Sequence, residues 1–315
     1  MAQKQKVVVL DGGTGMTLQE MGHVFPQGDL LWSARIVKSH PGDLIKLHKQ
    51  FYSSGADIVV TATYQASLDG YRKVFNLDEE AARDCLKLGV TLAQTARDEI
   101  EKDTGRRLYV AASIGAYGAV QTDWSEYNGR YVDTMSKQEL SDWHLPRMKA
   151  ILETNPDLLA FETIPAVKEA EAVLDNLQHF PDVKAWLTFQ CKDGFTTGHG
   201  ESIVDAVRLV ARYKNVVATG INCVHPKFVT SLLQQIATAK LDIPIIVKPN
   251  AGFFEHDEST SGVWKLSDQV DEWLRLGATW LGGCCHIYSS DIAEMRRALE
   301  QRADVSLLAT ADRLV

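Results

Sequence analysis

Short β-branched runs alternate with longer amphipathic stretches from one end of the chain to the other, eight of each, and this alternation restricts the fold more than any other feature. The pattern is that of repeated βα units wound around a parallel sheet. Strands are predicted at Lys6–Leu10, Asp57–Ala62, Leu108–Ser113, Leu158–Glu162, Ala185–Phe189, Val216–Ile221, Ile243–Val247 and Thr279–Leu281. Helices are predicted at Asp43–Ser54, Glu79–Lys102, Ser136–Glu153, Val167–Leu177, Ile203–Tyr213, Lys227–Ala239, Asp268–Leu276 and Ser290–Gln301. Eight such units in 315 residues match an α/β fold of the (β/α)8 TIM-barrel type, for which about 250 residues is typical; an open doubly wound sheet is the rival. No Pro/Ser-rich linker or low-complexity segment divides the chain, so residues 1–315 are read as a single domain, with disorder expected in a tail after about residue 302.

Composition narrows the partners. A net charge of -8, a pI near 5.6 and the lack of a basic stripe or basic helix argue against nucleic acid and anionic membranes, and favour small-molecule substrates. Five cysteines are too few and too odd in number for a disulfide framework, which fits a reducing compartment. The apolar run Val7–Leu10 is too short for a signal-peptide core and none approaches membrane-spanning length, so a soluble, cytoplasmic protein is expected. Oligomeric state is not legible.

In a barrel of this type functional groups collect where strands end and βα loops begin, and the chemistry-bearing residues fall at those places. Asp11-Gly12-Gly13 follows strand one, Thr63-Tyr64-Gln65 strand two, and Glu162-Thr163 closes strand four; Asn222-Cys223 follows strand six, Pro249-Asn250 strand seven, and Gly282-Gly283-Cys284-Cys285 strand eight. Glycines before the cysteine pair let the backbone turn sharply, so that adjacent side chains can converge rather than point to opposite faces. From spacing alone the alternatives are a three-thiol metal site and two buried cysteines beside an unrelated third. Placement at two barrel strand ends favours the metal site, and three protein ligands with a fourth position open is how catalytic zinc is held. His225 is the rival ligand; Cys85 and Cys191 read as core or near-surface thiols. The Gly12-Gly13 turn lacks both the P-loop lysine and the G-x-G-x-x-G spacing, so nucleotide binding is not inferred.

Taken in order, Leu10-Asp11-Gly12-Gly13, Leu31-Trp32-Ser33-Ala34, Thr61-Ala62-Thr63-Tyr64-Gln65-Ala66, Tyr117-Gly118-Ala119, Ser125-Glu126-Tyr127-Asn128-Gly129, Phe161-Glu162-Thr163, Gly220-Ile221-Asn222-Cys223 and Gly282-Gly283-Cys284-Cys285 resemble the zinc-dependent homocysteine S-methyltransferase family. The likeness is greatest to the branch using S-methylmethionine or S-adenosylmethionine. Three departures stand out: Gly13-Thr14-Gly15-Met16 in the first turn, Lys248-Pro249-Asn250-Ala251-Gly252 where Tyr-Pro-Asn-Ser-Gly is usual, and His286 where Arg is common.

The resemblance implies that Cys223, Cys284 and Cys285 are the catalytic centre and hold Zn2+, with the homocysteine thiolate as fourth ligand and a sulfonium as methyl donor. It further implies that Glu162 accepts a hydrogen bond from the substrate ammonium. Asp11, with the backbone of Gly12 and Gly13, is expected to hold the amino-acid end of homocysteine. Trp32, Tyr64, Trp124, Tyr127 and Phe253 are candidates for facing the sulfonium, since aromatic faces attract onium groups. Asn222 is expected to orient the metal shell or satisfy its turn, and Gln65 stands where an oxygen ligand could complete the metal shell before substrate arrives. Two alternatives stay open: another donor such as betaine or a methylfolate, although no cobalamin signature is present, and a non-catalytic zinc- or redox-sensing thiol protein.

Overall fold

The computed structural model describes residues 4–251, 264–308 and 314; Gly252 and Phe253, singled out above, lie outside them. The eight predicted strands are found as β1 Gln5–Val9, β2 Ile58–Val60, β3 Tyr109–Gly115, β4 Leu158–Ile164, β5 Ala185–Phe189, β6 Val216–Asn222, β7 Ile245–Lys248 and β8 Ala278–Leu281. All neighbouring pairs are parallel, in the order β2-β3-β4-β5-β6-β7-β8-β1. The ring closes between β1 and β2 through the parallel bridge Leu10 to Ile58. That seam is thin. It is reinforced by carboxylates standing in for ladder carbonyls: Asp57 accepts from the Val9 N–H at 2.9 Å, and Asp11 from the Val60 N–H at 2.6 Å. The fold is therefore the α/β (β/α)8 barrel and not the open sheet.

Side chains alternate across each strand, as the period of two requires. Inward-pointing Val8, Leu10, Ile58, Val60, Tyr109, Ala111, Leu158, Ala160, Trp186, Ala218, Ile246 and Trp280 fill the barrel axis. The Trp186 and Trp280 rings meet edge-to-face at 5.9 Å. Burial of two such rings contributes about 4–6 kcal/mol each at most. It also plugs the lower barrel, leaving the strand C-termini as the open mouth.

Outward residues such as Val7, Val9 and Val59 pack under the helices. These are α1 Thr14–Glu20, α2 Ile36–Ser39, α3 Pro41–Ser53, α4 Leu68–Phe75, α5 Glu79–Thr104, α6 Lys137–Leu152, α7 Val167–Leu177, α8 Ile203–Val210, α9 Pro226–Ala237, α10 Val270–Arg275 and α11 Ser289–Glu300. The longest, α5, begins on Asp78, whose carboxylate accepts from the Ala81 N–H at 2.8 Å, and ends on Gly105 at φ 68°. A side-chain N-cap and a left-handed glycine stop are the standard means of satisfying orphan backbone groups.

Two differences from the sequence reading matter. Helices α1 and α4 are extra turns within the first two βα loops, at the barrel mouth. And the segment after residue 302, where a partly disordered tail is expected, begins with a ninth strand, β9 Val305–Leu307, pairing in parallel with Gln5–Val7 of β1; residues 309–313 and 315 of that tail lie outside the described residues. Val305 is 5% exposed, and that burial fixes the segment.

Candidate metal centre and substrate cavity

Each cysteine is placed by its strand end. After β6 the chain turns at Cys223, a non-glycine residue in the left-handed region at φ 55°. After β8 it turns through two glycines: a Cβ on Gly282 would lie 2.7 Å from Leu10 Cβ, and one on Gly283 would lie 2.2 Å from the Ile287 side chain. No larger residue fits there, and only this close approach brings Cys284 and Cys285 over the axis. The segment after β7 lies between the two turns and splints both. Its Lys248 and Pro249 carbonyls accept from the N–H groups of Cys223 at 2.9 Å and Cys284 at 2.8 Å, while the Asn250 side-chain oxygen accepts from the Cys285 N–H at 3.2 Å.

The result is a cluster of three sulfurs, from Cys223, Cys284 and Cys285, all within 4.8 Å of one another. Cys223 and Cys285 are buried and Cys284 is half-buried. Hydrogen bonding from Cys284, then from Cys285, holds the Cys223 thiol well below its ordinary range against the opposing effect of burial, and Tyr127 Oη stands 3.3 Å from Cys223 Sγ. The same sharing of protons pushes Cys284 and Cys285 up. A cation would take the place of those shared protons. Bond lengths near 2.3 Å in a tetrahedral site require sulfurs about 3.8 Å apart, a spacing compatible with three sulfurs all within 4.8 Å of one another. The donor set therefore fits a thiophilic metal ion.

The cluster forms one wall of a cavity of about 470 Å³ at the barrel mouth. Of the residues expected at the site, Gly12, Gly13, Trp32, Tyr64, Gln65, Tyr127, Glu162 and Asn222 line this cavity together with all three cysteines. A Cβ on Gly13 would lie 2.5 Å from the Cys284 carbonyl oxygen, so the glycine turn and the thiol turn are in contact. Trp32 is held by Phe25, ring centres 5.8 Å apart, and Gln65 Nε2 donates to the Asp29 carbonyl at 3.0 Å. Trp124 stands at the rim, 61% exposed, its ring 6.0 Å from that of Tyr127. His225 lies outside the sulfur cluster and caps α9, its Nδ1 accepting from the Lys227 N–H at 3.1 Å. Cys85, on α5, and Cys191, just past β5, are buried outside the cluster.

Asp11 is fully buried at the cavity floor. One carboxylate oxygen takes the Val60 N–H and the other takes Lys248 Nζ at 2.8 Å, so both oxygens are engaged by the protein. Lys248, the departure from the family pattern, is the residue that sequence reasoning left without a role. Its Nζ also lies 3.8 Å from Glu162 Oε2. Burial disfavours its charge, but Asp11 and Glu162 outweigh burial and keep the ammonium charged. Glu162 itself is pushed up to about 7 by burial, with Lys248 and the Ser113 hydroxyl, which donates to it at 2.5 Å, pulling the other way.

Asn222 does not touch the sulfurs. Its Oδ1 accepts from the Thr163 N–H at 2.7 Å and from Thr188 Oγ1 at 2.8 Å, and its Nδ2 donates to Thr163 Oγ1 at 2.9 Å. It thereby clamps Thr163, a β-branched residue at φ 57°, beside Glu162. Glu126 was quoted only as part of a motif, yet it too lines the cavity, with its carboxyl pushed up to about 7 by burial.

The homocysteine S-methyltransferase family model matches residues 8–299. The homocysteine S-methyltransferase YbgG of Bacillus subtilis is 35% identical over 303 residues, covering 92% of this chain and 93% of the relative. A betaine-homocysteine S-methyltransferase of Drosophila melanogaster is 35% identical over 314 residues, covering 93% and 94%. The solved structure of the homocysteine methyltransferase MmuM from Escherichia coli in its metallated form superposes with a TM-score of 0.84 at 34% identity, covering 93% of this chain and 96% of that one. A fold, a family match across nearly the whole chain and the three-sulfur cluster agree: this chain is a methyltransferase and belongs to the homocysteine S-methyltransferase family.

Proposed function

We propose that the enzyme transfers a methyl group from a sulfonium donor, S-methylmethionine or S-adenosylmethionine, to the sulfur of L-homocysteine, giving methionine, with Cys223, Cys284 and Cys285 holding Zn2+. The observation that carries this reading is the three-sulfur cluster opening onto a cavity whose floor presents Glu162. A zinc ion held there would lower the pKa of an incoming thiol, which at about 8.5 is otherwise mostly protonated at neutral pH. Glu162 takes the homocysteine ammonium, and Gly12 and Gly13, with no side chain in the way, let the amino-acid end lie against the backbone. Lys248 faces Glu162, and Asn222 fixes the adjoining Thr163. The thiolate sulfur forms the new S–CH3 bond while the donor's S–CH3 bond breaks, its electron pair returning to the donor sulfur. Both charges disappear in that step, so a cavity that sheds water assists it.

The whole chain is proposed to act as one homocysteine-binding barrel on small molecules in the cytoplasm. Among the described residues no helix is long and apolar enough to cross a membrane. Betaine is the second donor reading, favoured by the similarity to the Drosophila enzyme. The test is methionine formation from L-homocysteine by zinc-loaded protein with S-methylmethionine, S-adenosylmethionine and betaine in parallel. No methionine from either sulfonium overturns the proposal. Cys284→Ser is expected to lose both metal and turnover; full retention of both would remove the assigned centre.

A further inference from the structure

Three carboxylates line the cavity among the described residues, those of Asp29, Glu126 and Glu162. Two are matched by protein cations: Asp29 pairs with Arg35 at 2.6 Å, and Glu162 faces Lys248 at 3.8 Å. Glu126 is not. Its Oε2 is buried with no hydrogen-bond partner, its other contact is with its own backbone N–H, and the neighbouring charge that acts on it is Asp123, of the same sign. Glu126 itself is half-buried, and an unmatched, partly desolvated carboxylate costs free energy that a cationic ligand recovers on binding. Its setting suits such a ligand. Glu126 stands in chain between Trp124, exposed at the rim, and Tyr127, whose hydroxyl reaches Cys223 Sγ at 3.3 Å.

We propose that Glu126 is the counter-ion for the α-ammonium group of the methyl donor, so that this side of the cavity selects an amino-acid sulfonium. The inference rests on the donor reading above and narrows it. A sulfonium loses its charge as the methyl leaves, so an anion placed against it would stabilise the bound donor more than the transition state. The donor's ammonium keeps its charge throughout, and pairing it anchors the molecule without opposing the reaction. Betaine carries its one cation at the reacting nitrogen and has no second group for Glu126. The carboxylate therefore discriminates between donors that the aromatic faces of Trp124 and Tyr127 alone would accept together.

The test compares wild type and Glu126→Gln, both zinc-loaded, by steady-state kinetics with S-methylmethionine and with its deamino analogue, which keeps sulfonium and carboxylate but lacks the ammonium. Gln preserves shape, and metal content by elemental analysis checks the centre. The expected result is a rise of about 30-fold in the KM for S-methylmethionine, with the KM for homocysteine and the metal content unchanged and no such rise for the deamino analogue. An unchanged KM for S-methylmethionine overturns the inference while leaving the function intact. An equal penalty with both donors overturns it in favour of a carboxylate at the sulfonium. If wild type turns over neither donor, it is the functional reading that fails, and the inference with it.

Discussion

Lys248→Met should destabilise the barrel by about 3–5 kcal/mol, because it leaves two buried carboxylates without their cation. The Lys248 side chain is 4% exposed and that of Asp11 0%, with 2.8 Å between Nζ and Oδ1. At an effective dielectric constant near 20 the Asp11 attraction is about 6 kcal/mol and the Glu162 attraction, at 3.8 Å, about 4 kcal/mol. Desolvating the three ions offsets most of this, so the intact cluster contributes little net. Removing one partner forfeits the attraction while the other two stay buried. Asp11 also holds the β1–β2 seam through the Val60 N–H, so the loss should loosen barrel closure. The assay is urea unfolding of wild type, Lys248→Met, Asp11→Asn and the double variant. The double variant should recover more than half of the single-variant loss. The deficit should also depend on pH. Without Lys248 the buried carboxyls have folded pKa values above their unfolded ones, near 4. The protonated native form is then favoured, and stability present at low pH is lost as pH rises through the folded values. Lys248→Met should thus fall further behind wild type at pH 8 than at pH 5. A loss under about 1 kcal/mol, or a double variant no better than the single, would refute the reasoning.

His48, on α3, is fully buried with neither ring nitrogen hydrogen-bonded, and burial pushes its pKa from 6.5 down to about 4. The unfolded chain takes up this proton first, so the contribution of His48 is complete above pH 6.5 and is lost as pH falls, by about 3 kcal/mol at pH 4. His48→Leu should flatten that acid limb in urea midpoints; an identical pH profile would count against it. Tyr127→Phe removes the hydroxyl 3.3 Å from Cys223 Sγ and should weaken metal retention by about 10-fold in a chelator competition, with unfolding midpoints unchanged. Gly13→Ala would drive a methyl to 2.5 Å from the Cys284 carbonyl oxygen, where only backbone can give way. It should raise the KM for homocysteine and loosen the metal together, and a normal KM with full metal content would be evidence that the two turns are not coupled.

The barrel was readable because each strand is a β-branched run between turn residues, and α7 and β5 fall at their predicted limits, Val167–Leu177 and Ala185–Phe189. Helices α1 and α4 were not, since a stretch such as Thr14-Gly15-Met16-Thr17 carries no 3.6-residue apolar period and is ordered by packing at the mouth. The cysteines were legible because glycines mark the turn that makes them converge. The pairing of Asp11 was not legible for a physical reason: its partner Lys248 lies 237 residues away, and barrel closure alone brings β7 behind β1. Sequence showed Lys248 as an oddity but carried no sign of the carboxylate pair it neutralises. Glu126 was hidden in the same way, because an absence of partners is a property of the assembled cavity.

What unites the site is where the backbone is bent against its preference. Thr163 near the end of β4, Cys223 after β6 and His286 after β8 all stand near φ 55–61°, a region that costs a non-glycine residue about 1–2 kcal/mol. In an undistorted strand the residue after each inward side chain points away from the axis. A left-handed residue at the strand end breaks that alternation and lets consecutive positions serve the same cavity, as Glu162 and Thr163, and Asn222 and Cys223, do. The strain is held by hydrogen bonds that begin on other strands: Asn222 on β6 secures Thr163, two strands away, and the Lys248 carbonyl on β7 secures Cys223. The ends of β4 and β6 are thus each fixed by another rung of the barrel. The sulfurs and the carboxylate are held in position by the scaffold before any ligand binds, so less of the binding energy of metal and substrate is spent on ordering them.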